Sequence, residues 1–261
     1  MRWACELGRI DILTEVSVLS QHLSNPREGH LDAIYRIFNY LDKCRKAIPG
    51  KLGFDPARPD DVVSPLDGAS VEPVDWLEFY PDAEEELPYR MPTPYGTPVL
   101  TRAYVDANHT GNLANRRSHT GILIYVNNSP VLWYSKRKNT VETSSFGSEF
   151  VPLKIVVEMV EALRYKLRCF GVPIDSPTEV LCNNKLLVTN SSVSASTLNK
   201  RHNAICYHRV CEAQACGMIK VLWIEGKNNL ADLLSKTTIA GDTRWKFVNQ
   251  IFYKSAAVDV D

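Results

Sequence analysis

The chain has 261 residues, 44% of them apolar, and its 30 basic and 30 acidic side chains cancel to a net charge of zero. That is enough for one large or two modest domains with an ordinary core, and it excludes a protein held to nucleic acid by bulk positive charge, so any such binding must come from local patches. No apolar run approaches the ~20 residues of a membrane span, and charge interrupts the N-terminal MRWACELGRIDI as it would not in a signal peptide; with seven scattered cysteines and no CxxC pair, the expectation is an intracellular protein, cytoplasmic or nuclear, with reduced thiols and no membrane partner.

In chain order, Ile10, Leu13, Val16 and Leu23 suggest a first helix. Asn25, Pro26 and Glu28 then read as a helix start, with Asn capping, Pro at the first helical position and Glu reaching back. Leu31, Ile34, Phe38 and Leu41 follow at helical spacing, so residues 1–46 predict a helical hairpin whose apolar faces need a partner. Residues 47–97 are expected to be a Pro-rich acidic linker. Ala47 to Pro98 holds ten of the fifteen prolines and the run Asp82 to Glu86, and proline disfavours long helices and central strands. Trp76, Phe79 and Tyr80 could pin this segment to a neighbouring surface, with a short helix around Val74 to Tyr80; a wholly disordered linker is the competing reading.

Residues 98–240 have α/β character. Val99–Val105, Gly121–Val126 and Val131–Ser135 are β-branched and aromatic runs, with Asn127-Asn128 as a turn. A helix is predicted over Glu149–Arg168, with Val156, Met159, Val160, Leu163 and Leu167 on one face. A strand at Glu179–Cys182, a helix at Thr197–Ala215, a strand at Ile219–Ile224 and a helix from Asn229 complete the pattern, leaving 241–261 as a tail.

Seven motifs carry a family resemblance: YVDANHTGN (Tyr104–Asn112), RRSHTG (Arg116–Gly121), VLWYSKRK (Val131–Lys138), TSSFGSEF (Thr143–Phe150), LCNN (Leu181–Asn184), KRHNAICYHRVCEA (Lys200–Ala213) and NLADLLSK (Asn229–Lys236). In this order the stretch from Val99 to Lys236 resembles the ribonuclease H end of a copia-type retrotransposon polyprotein. Arg2 to Leu41 resembles the last helices of the reverse transcriptase that precedes it, so the polymerase core would lie N-terminal of Met1. The resemblance implies an α/β, ribonuclease H-like fold, a mixed five-stranded sheet with helices on both faces, preceded by the N-terminal helical hairpin. It also implies a site at Asp106, Glu149, position 183 and Asp232, two Mg2+ ions, and an RNA/DNA hybrid as substrate. A reverse transcriptase domain from another copy is a further candidate partner.

Four acids matter because in-line hydrolysis of a phosphodiester with two metal ions needs carboxylates that hold the ions roughly 4 Å apart. Magnesium prefers oxygen ligands and keeps several waters, so the protein supplies mainly charge and position. At position 183 the family pattern Asp-Asn becomes Asn183-Asn184. An amide oxygen can ligate but brings no charge. At an effective dielectric of ~20, a charge 4 Å from a divalent ion is worth several kcal/mol before desolvation, and each ~1.4 kcal/mol is tenfold in rate or occupancy. The expectation is weak or absent nuclease activity. Pro152 adds a second departure: in a helix beginning near Ser145 it should kink the helix that carries Glu149, whereas in one beginning at Phe150 it is harmless.

Arg116, Arg117, Lys136, Arg137, Lys138, Lys200 and Arg201 are candidate phosphate contacts, with ordinary solvated charge as the alternative. Trp133 reads as core or as a stacking platform. His202, Cys206, His208, Cys211 and Cys216 read as helix packing or as a zinc site without CxxC-like knuckles. Two functions stay open: an impaired two-metal hybrid endonuclease, or a non-catalytic remnant or nucleic-acid- or protein-binding module on the same fold.

Overall fold

The computed structural model describes residues 1–44, 48–49, 74–108, 118–137, 145–192 and 201–253. Its centre is a five-stranded mixed sheet of β2 (Thr101–Asn108), β3 (His119–Val126), β4 (Ser129–Arg137), β5 (Thr178–Cys182) and β6 (Ile219–Trp223), in the order β4-β3-β2-β5-β6. The hairpin-linked strands β2, β3 and β4 pair antiparallel; β5 and β6 add in parallel after helical crossovers, as parallel neighbours require. A short antiparallel ladder joins β1 (Ile48–Pro49) to β7 (Phe252–Tyr253).

Alternation along the strands feeds two cores. Ala103, Val105, Ile122, Ile124, Val180 and Val221 face α4 (Ser145–Cys169), α5 (Lys185–Ser192) and α6 (Arg201–Ala215), which contribute Phe150, Leu153, Val156, Val160, Leu187, Val210 and Cys211. Tyr104, Leu123, Leu181 and Leu222 point the other way, toward α7 (Asp232–Ser235) and α8 (Gly241–Ile251), which supply Leu233, Leu234, Phe247, Val248 and Ile251. The sheet is thus covered on both faces, as the ribonuclease H resemblance implies. Residues 241–251, read from sequence as the start of a tail, form α8 because Phe247, Val248 and Ile251 recur on one helical face and are buried.

The N-terminal segment docks on this domain. It contains α1 (Arg2–Glu6), α2 (Leu13–Leu19) and α3 (Glu28–Lys43). Trp133 Nε1 donates to the Cys5 carbonyl (3.0 Å), Ser17 Oγ to the Ser135 carbonyl (2.9 Å) and Thr14 Oγ1 to the Leu233 carbonyl (2.7 Å). Arg244 of α8 pairs with Glu15 at 2.7 Å. The helices therefore cover edge strand β4, which would otherwise offer open backbone groups, and Trp133 serves as an anchor for α1.

Two details of α3 differ from expectation. The helix begins at Glu28, and His30 Nδ1, not Glu28, accepts the Arg27 N–H (3.0 Å). Ile37 is its buried residue, while Leu31 and Phe38 are exposed, because packing against Val16 and Trp245 selects the line through Ile37 and Tyr40.

Residues 74–98 are tethered across the α4–α6 side. The Trp76 indole donates to the Ser191 carbonyl (2.9 Å), and Tyr95 and Val99 bond the turn after α4. Glu85 accepts from Arg164 (2.7 Å) and Arg168 (2.8 Å), all three largely buried.

Candidate functional site

Backbone register builds the site. In the parallel pair, Val105 lies opposite Cys182, so Asp106 and Asn183, each one residue further on, sit side by side at the carboxyl ends of adjacent strands. In the antiparallel pair Asp106 lies opposite Gly121, and Gly121 opposite Ser135. The short helix α7 crosses over this row.

Four hydrogen bonds and one missing side chain hold α7 there. Asn229, fully buried, donates from Nδ2 to the Val105 carbonyl (3.0 Å) and accepts the Ala231 N–H at Oδ1 (3.2 Å). The Ser135 hydroxyl donates to the Leu234 carbonyl (2.7 Å), and Ser235 Oγ donates to Asp106 Oδ2. A Cβ at Gly121 would stand 2.6 Å from the Ala231 carbonyl oxygen and 2.8 Å from the Leu234 carbonyl carbon. Glycine is what lets α7 approach the sheet closely enough to bring Asp232 beside Asp106.

The resulting cluster is electrostatically unusual. Asp106 is 6% exposed. Asp232 Oδ1 is buried and has no hydrogen-bond partner among the described residues. Burial, then the neighbouring Asp106 charge, pushes the Asp232 carboxyl up to about 6. Lys236 closes the group: its ammonium lies 2.8 Å from Asp232 Oδ2 and 3.5 Å from Asp106 Oδ2. Burial works against its charge, but the two carboxylates outweigh that and hold its pKa above the ordinary lysine value.

Asn183 completes the described donors. Its main-chain carbonyl accepts the Trp223 indole N–H (3.2 Å), and a small cleft is lined by Asp106, Ala107, Pro152, Leu153 and Asn183. Pro152 lies inside α4, which begins at Ser145, so the Ser148 carbonyl has no helical N–H from position 152; the buried ring forms a wall of the cleft. Glu149 belongs to the same helical stretch, with its side chain outside the described residues.

The expected phosphate contacts are only partly visible. Lys136 and Arg137 end β4, opposite Thr120 and His119, at the same end of the sheet as Asp106 and two strands across, a separation of about 10 Å. Arg116, Arg117, Lys138 and Lys200 lie outside the described residues, as does the side chain of Arg201 at the start of α6. His119 is kept neutral by burial and then by Arg137, its pKa falling to about 4. It bonds the Ser135 hydroxyl (2.8 Å), supporting the contact from Ser135 to α7. On α6, Cys206 and Cys211 are buried in the core and His208 meets the Tyr80 hydroxyl; the side chain of His202 is outside the described residues. No group of three or more His, Cys, Asp or Glu able to hold a metal occurs among the described residues, and no helix there is long and apolar enough to cross a membrane.

Sequence reasoning from motifs alone does not single out Gly121, Asn229, Ser235 or Lys236. Their signal is spacing: Asp232 and Lys236 are four apart, Ser235 follows Asp232 by three, and Gly121 ends the RRSHTG motif.

No family model matches the chain. It is similar to the retrovirus-related Pol polyprotein from transposon RE1 of Arabidopsis thaliana, 23% identical over 228 residues covering 87% of this chain and 13% of that protein. It is also similar to that from transposon TNT 1-94 of Nicotiana tabacum, 26% identical over 236 residues, 90% of this chain and 14% of the polyprotein. The chain thus spans only 13% and 14% of the length of these relatives. Secreted RxLR effector protein 161 of Plasmopara viticola is 28% identical over 145 residues, 56% of this chain and 72% of that protein. Among solved structures, the N-terminal RNase H domain of a Mycobacterium tuberculosis protein aligns with a TM-score of 0.41 at 16% identity, covering 52% of this chain and 91% of that one. LC11-RNase H1 in complex with an RNA/DNA hybrid aligns at 0.38 and 16% identity, covering 52% and 93%.

Proposed function

Starting from a ribonuclease H-like domain related to the retrovirus-related Pol polyproteins of transposons, we propose that the Asp106–Asn183–Asp232 cluster is a two-metal endonuclease site for the RNA strand of RNA/DNA hybrids, impaired by the amide at position 183. The observation that carries this reading is the convergence of the three positions, brought together by the β2–β5 register and by α7 seated against Gly121.

The donors suit a hard cation. They are carboxylate and amide oxygens, and the buried Asp232 Oδ1 has no partner among the described residues, an orphaned acceptor that a cation would satisfy. Asp106, Asp232 and the Asn183 amide oxygen would hold the metal, with Glu149 as the fourth ligand. Magnesium bound there would polarise the scissile phosphate and lower the pKa of an attacking water. The chain's own part is positional: Ser235 orients Asp106, and Asn229 and Ser135 fix α7. Arg137 and Lys136, across the sheet at the same end, would meet the backbone of the hybrid.

A non-catalytic module on the same fold is the second reading. It is favoured by Lys236, whose ammonium already neutralises part of the cluster, and by the uncharged Asn183. Cleavage of a labelled hybrid in Mg2+ or Mn2+ by the unaltered chain and by Asn183→Asp separates the two. Activity that rises at least tenfold in Asn183→Asp supports the impaired nuclease; no cleavage by either supports the non-catalytic module.

A further inference from the structure

Lys236 is a side chain the proposed chemistry does not use, yet it occupies the centre of the site. Its Nζ contacts Asp232 Oδ2 at 2.8 Å and Asp106 Oδ2 at 3.5 Å, and its side chain is 29% exposed. Lys236 is the C-cap residue of α7, and its side chain turns inward across one helical turn to the carboxylate four residues earlier.

We propose that Lys236 is a built-in counter-ion that occupies the divalent-cation position and gates metal entry, so that the metal binds only by displacing the ammonium. This rests on the metal-site reading above and adds its regulation. Two buried carboxylates facing each other repel, and a tethered cation relieves that at no translational cost. A hydrated divalent ion competes for the same oxygens, and its charge near an ammonium within a few ångströms is repulsive. Both cannot sit between Asp106 and Asp232. The metal must therefore break two ion pairs before it gains its ligands. Replacement of the family's Asp by Asn183 removes one negative charge from the metal's side of this competition while leaving both contacts of the lysine intact, which tips the balance toward the ammonium.

The test is Mn2+ binding by the purified full chain, read by calorimetry and by the Mn2+-induced rise in melting temperature. Lys236→Gln is expected to bind Mn2+ about tenfold more tightly than the unaltered chain and to show a larger melting shift. Lys236→Arg, which keeps the charge, is expected to show neither gain, and Asp106→Asn to lose binding. In the unaltered chain, which needs no folding control, the NMR signal of the Lys236 ammonium should shift on titration with Mg2+, and should not in Asp106→Asn. Equal Mn2+ affinity in Lys236→Gln and the unaltered chain, with binding lost in Asp106→Asn, would overturn the gate while leaving the metal site standing. No binding in any version, Asn183→Asp included, would overturn both.

Discussion

Gly121→Ala tests how the site is held together. The added methyl carbon would stand 2.6 Å from the Ala231 carbonyl oxygen, 2.8 Å from the Leu234 carbonyl carbon and 2.9 Å from Leu234 Cβ. Two of these are backbone atoms on a helix fixed by Asn229 and Ser135, so no side-chain rotation relieves the clash and α7 must lift from the sheet. Overpacking a filled site costs typically 1–3 kcal/mol, and lifting α7 also stretches the bonds from Ser135 to Leu234 and from Ser235 to Asp106. The expected loss is about 3 kcal/mol in urea denaturation monitored by tryptophan fluorescence. Asp232 moves with the helix, so the variant should also lose Mn2+ binding when assayed at a temperature where it is still folded. A stability within about 0.5 kcal/mol of the unaltered chain would refute the claim that close approach at Gly121 sets the position of α7.

Three further outcomes follow from the contacts. Glu85→Gln leaves the buried Arg164 and Arg168 without their counter-charge and should cost about 3 kcal/mol in urea denaturation at pH 7. Burial raises the Glu85 pKa, but the hydrogen bonds and charges of Arg164 and Arg168 outweigh it and hold the carboxyl below its ordinary value, so the stability it contributes is present above the ordinary carboxylate pKa and is lost as pH falls through the lower folded one; the variant should lack that acid-limb slope. Asp232 has the opposite sign. Its folded pKa is raised from 3.8 to about 6, so the fold favours the protonated acid, and the associated stability is full below about pH 4 and lost as pH rises through 6. In metal-free buffer Asp232→Asn should therefore gain stability relative to the unaltered chain as pH rises from about 4 to about 8; no relative gain over that range contradicts this. Thr14→Val removes the hydroxyl that bonds the Leu233 carbonyl at nearly constant volume and should cost about 1–2 kcal/mol, whereas an unchanged unfolding midpoint would mean that α2 is not anchored through α7.

Much of the sheet was legible because its strands are runs such as GILIYV and VLWYS, where β-branched and aromatic residues alternate between two buried faces. The helices were harder. Lys185–Ser192 forms α5 from a short polar stretch that does not announce itself, yet Leu187 and Val188 reach the core. In α3 the line of Leu31, Ile34, Phe38 and Leu41 and a second line through Ile37 and Tyr40 are both apolar; Ile37, Tyr40 and Leu41 pack with α2 while Leu31 and Phe38 stay exposed, a choice that depends on the docking of Trp245 and Arg244 from over 200 residues away. α8 was missed because Arg244, Trp245 and Lys246 break up the apolar signal.

The site divides in the same way. Asp106, Asn183 and Asp232 stand out through their motifs; strand register brings the first two together, and α7 seated against Gly121 adds Asp232. The supporting residues do not, because their roles depend on positions across the sheet. Gly121 matters through its partner Asp106 and the helix above it, Asn229 through the Val105 carbonyl, and Lys236 through two acids that only the fold makes neighbours. Pro152 illustrates a question that sequence left open and helix extent settles: α4 begins at Ser145 and the proline is internal.

The most direct test of the central claim is strand-resolved cleavage of an RNA/DNA hybrid by Asn183→Asp and by the double variant Asn183→Asp/Asp106→Asn, with Mn2+ present or chelated. The account predicts metal-dependent cuts confined to the RNA strand in the single variant and none in the double variant. Cleavage that survives Asp106→Asn, or a silent Asn183→Asp that still binds Mn2+, would contradict it.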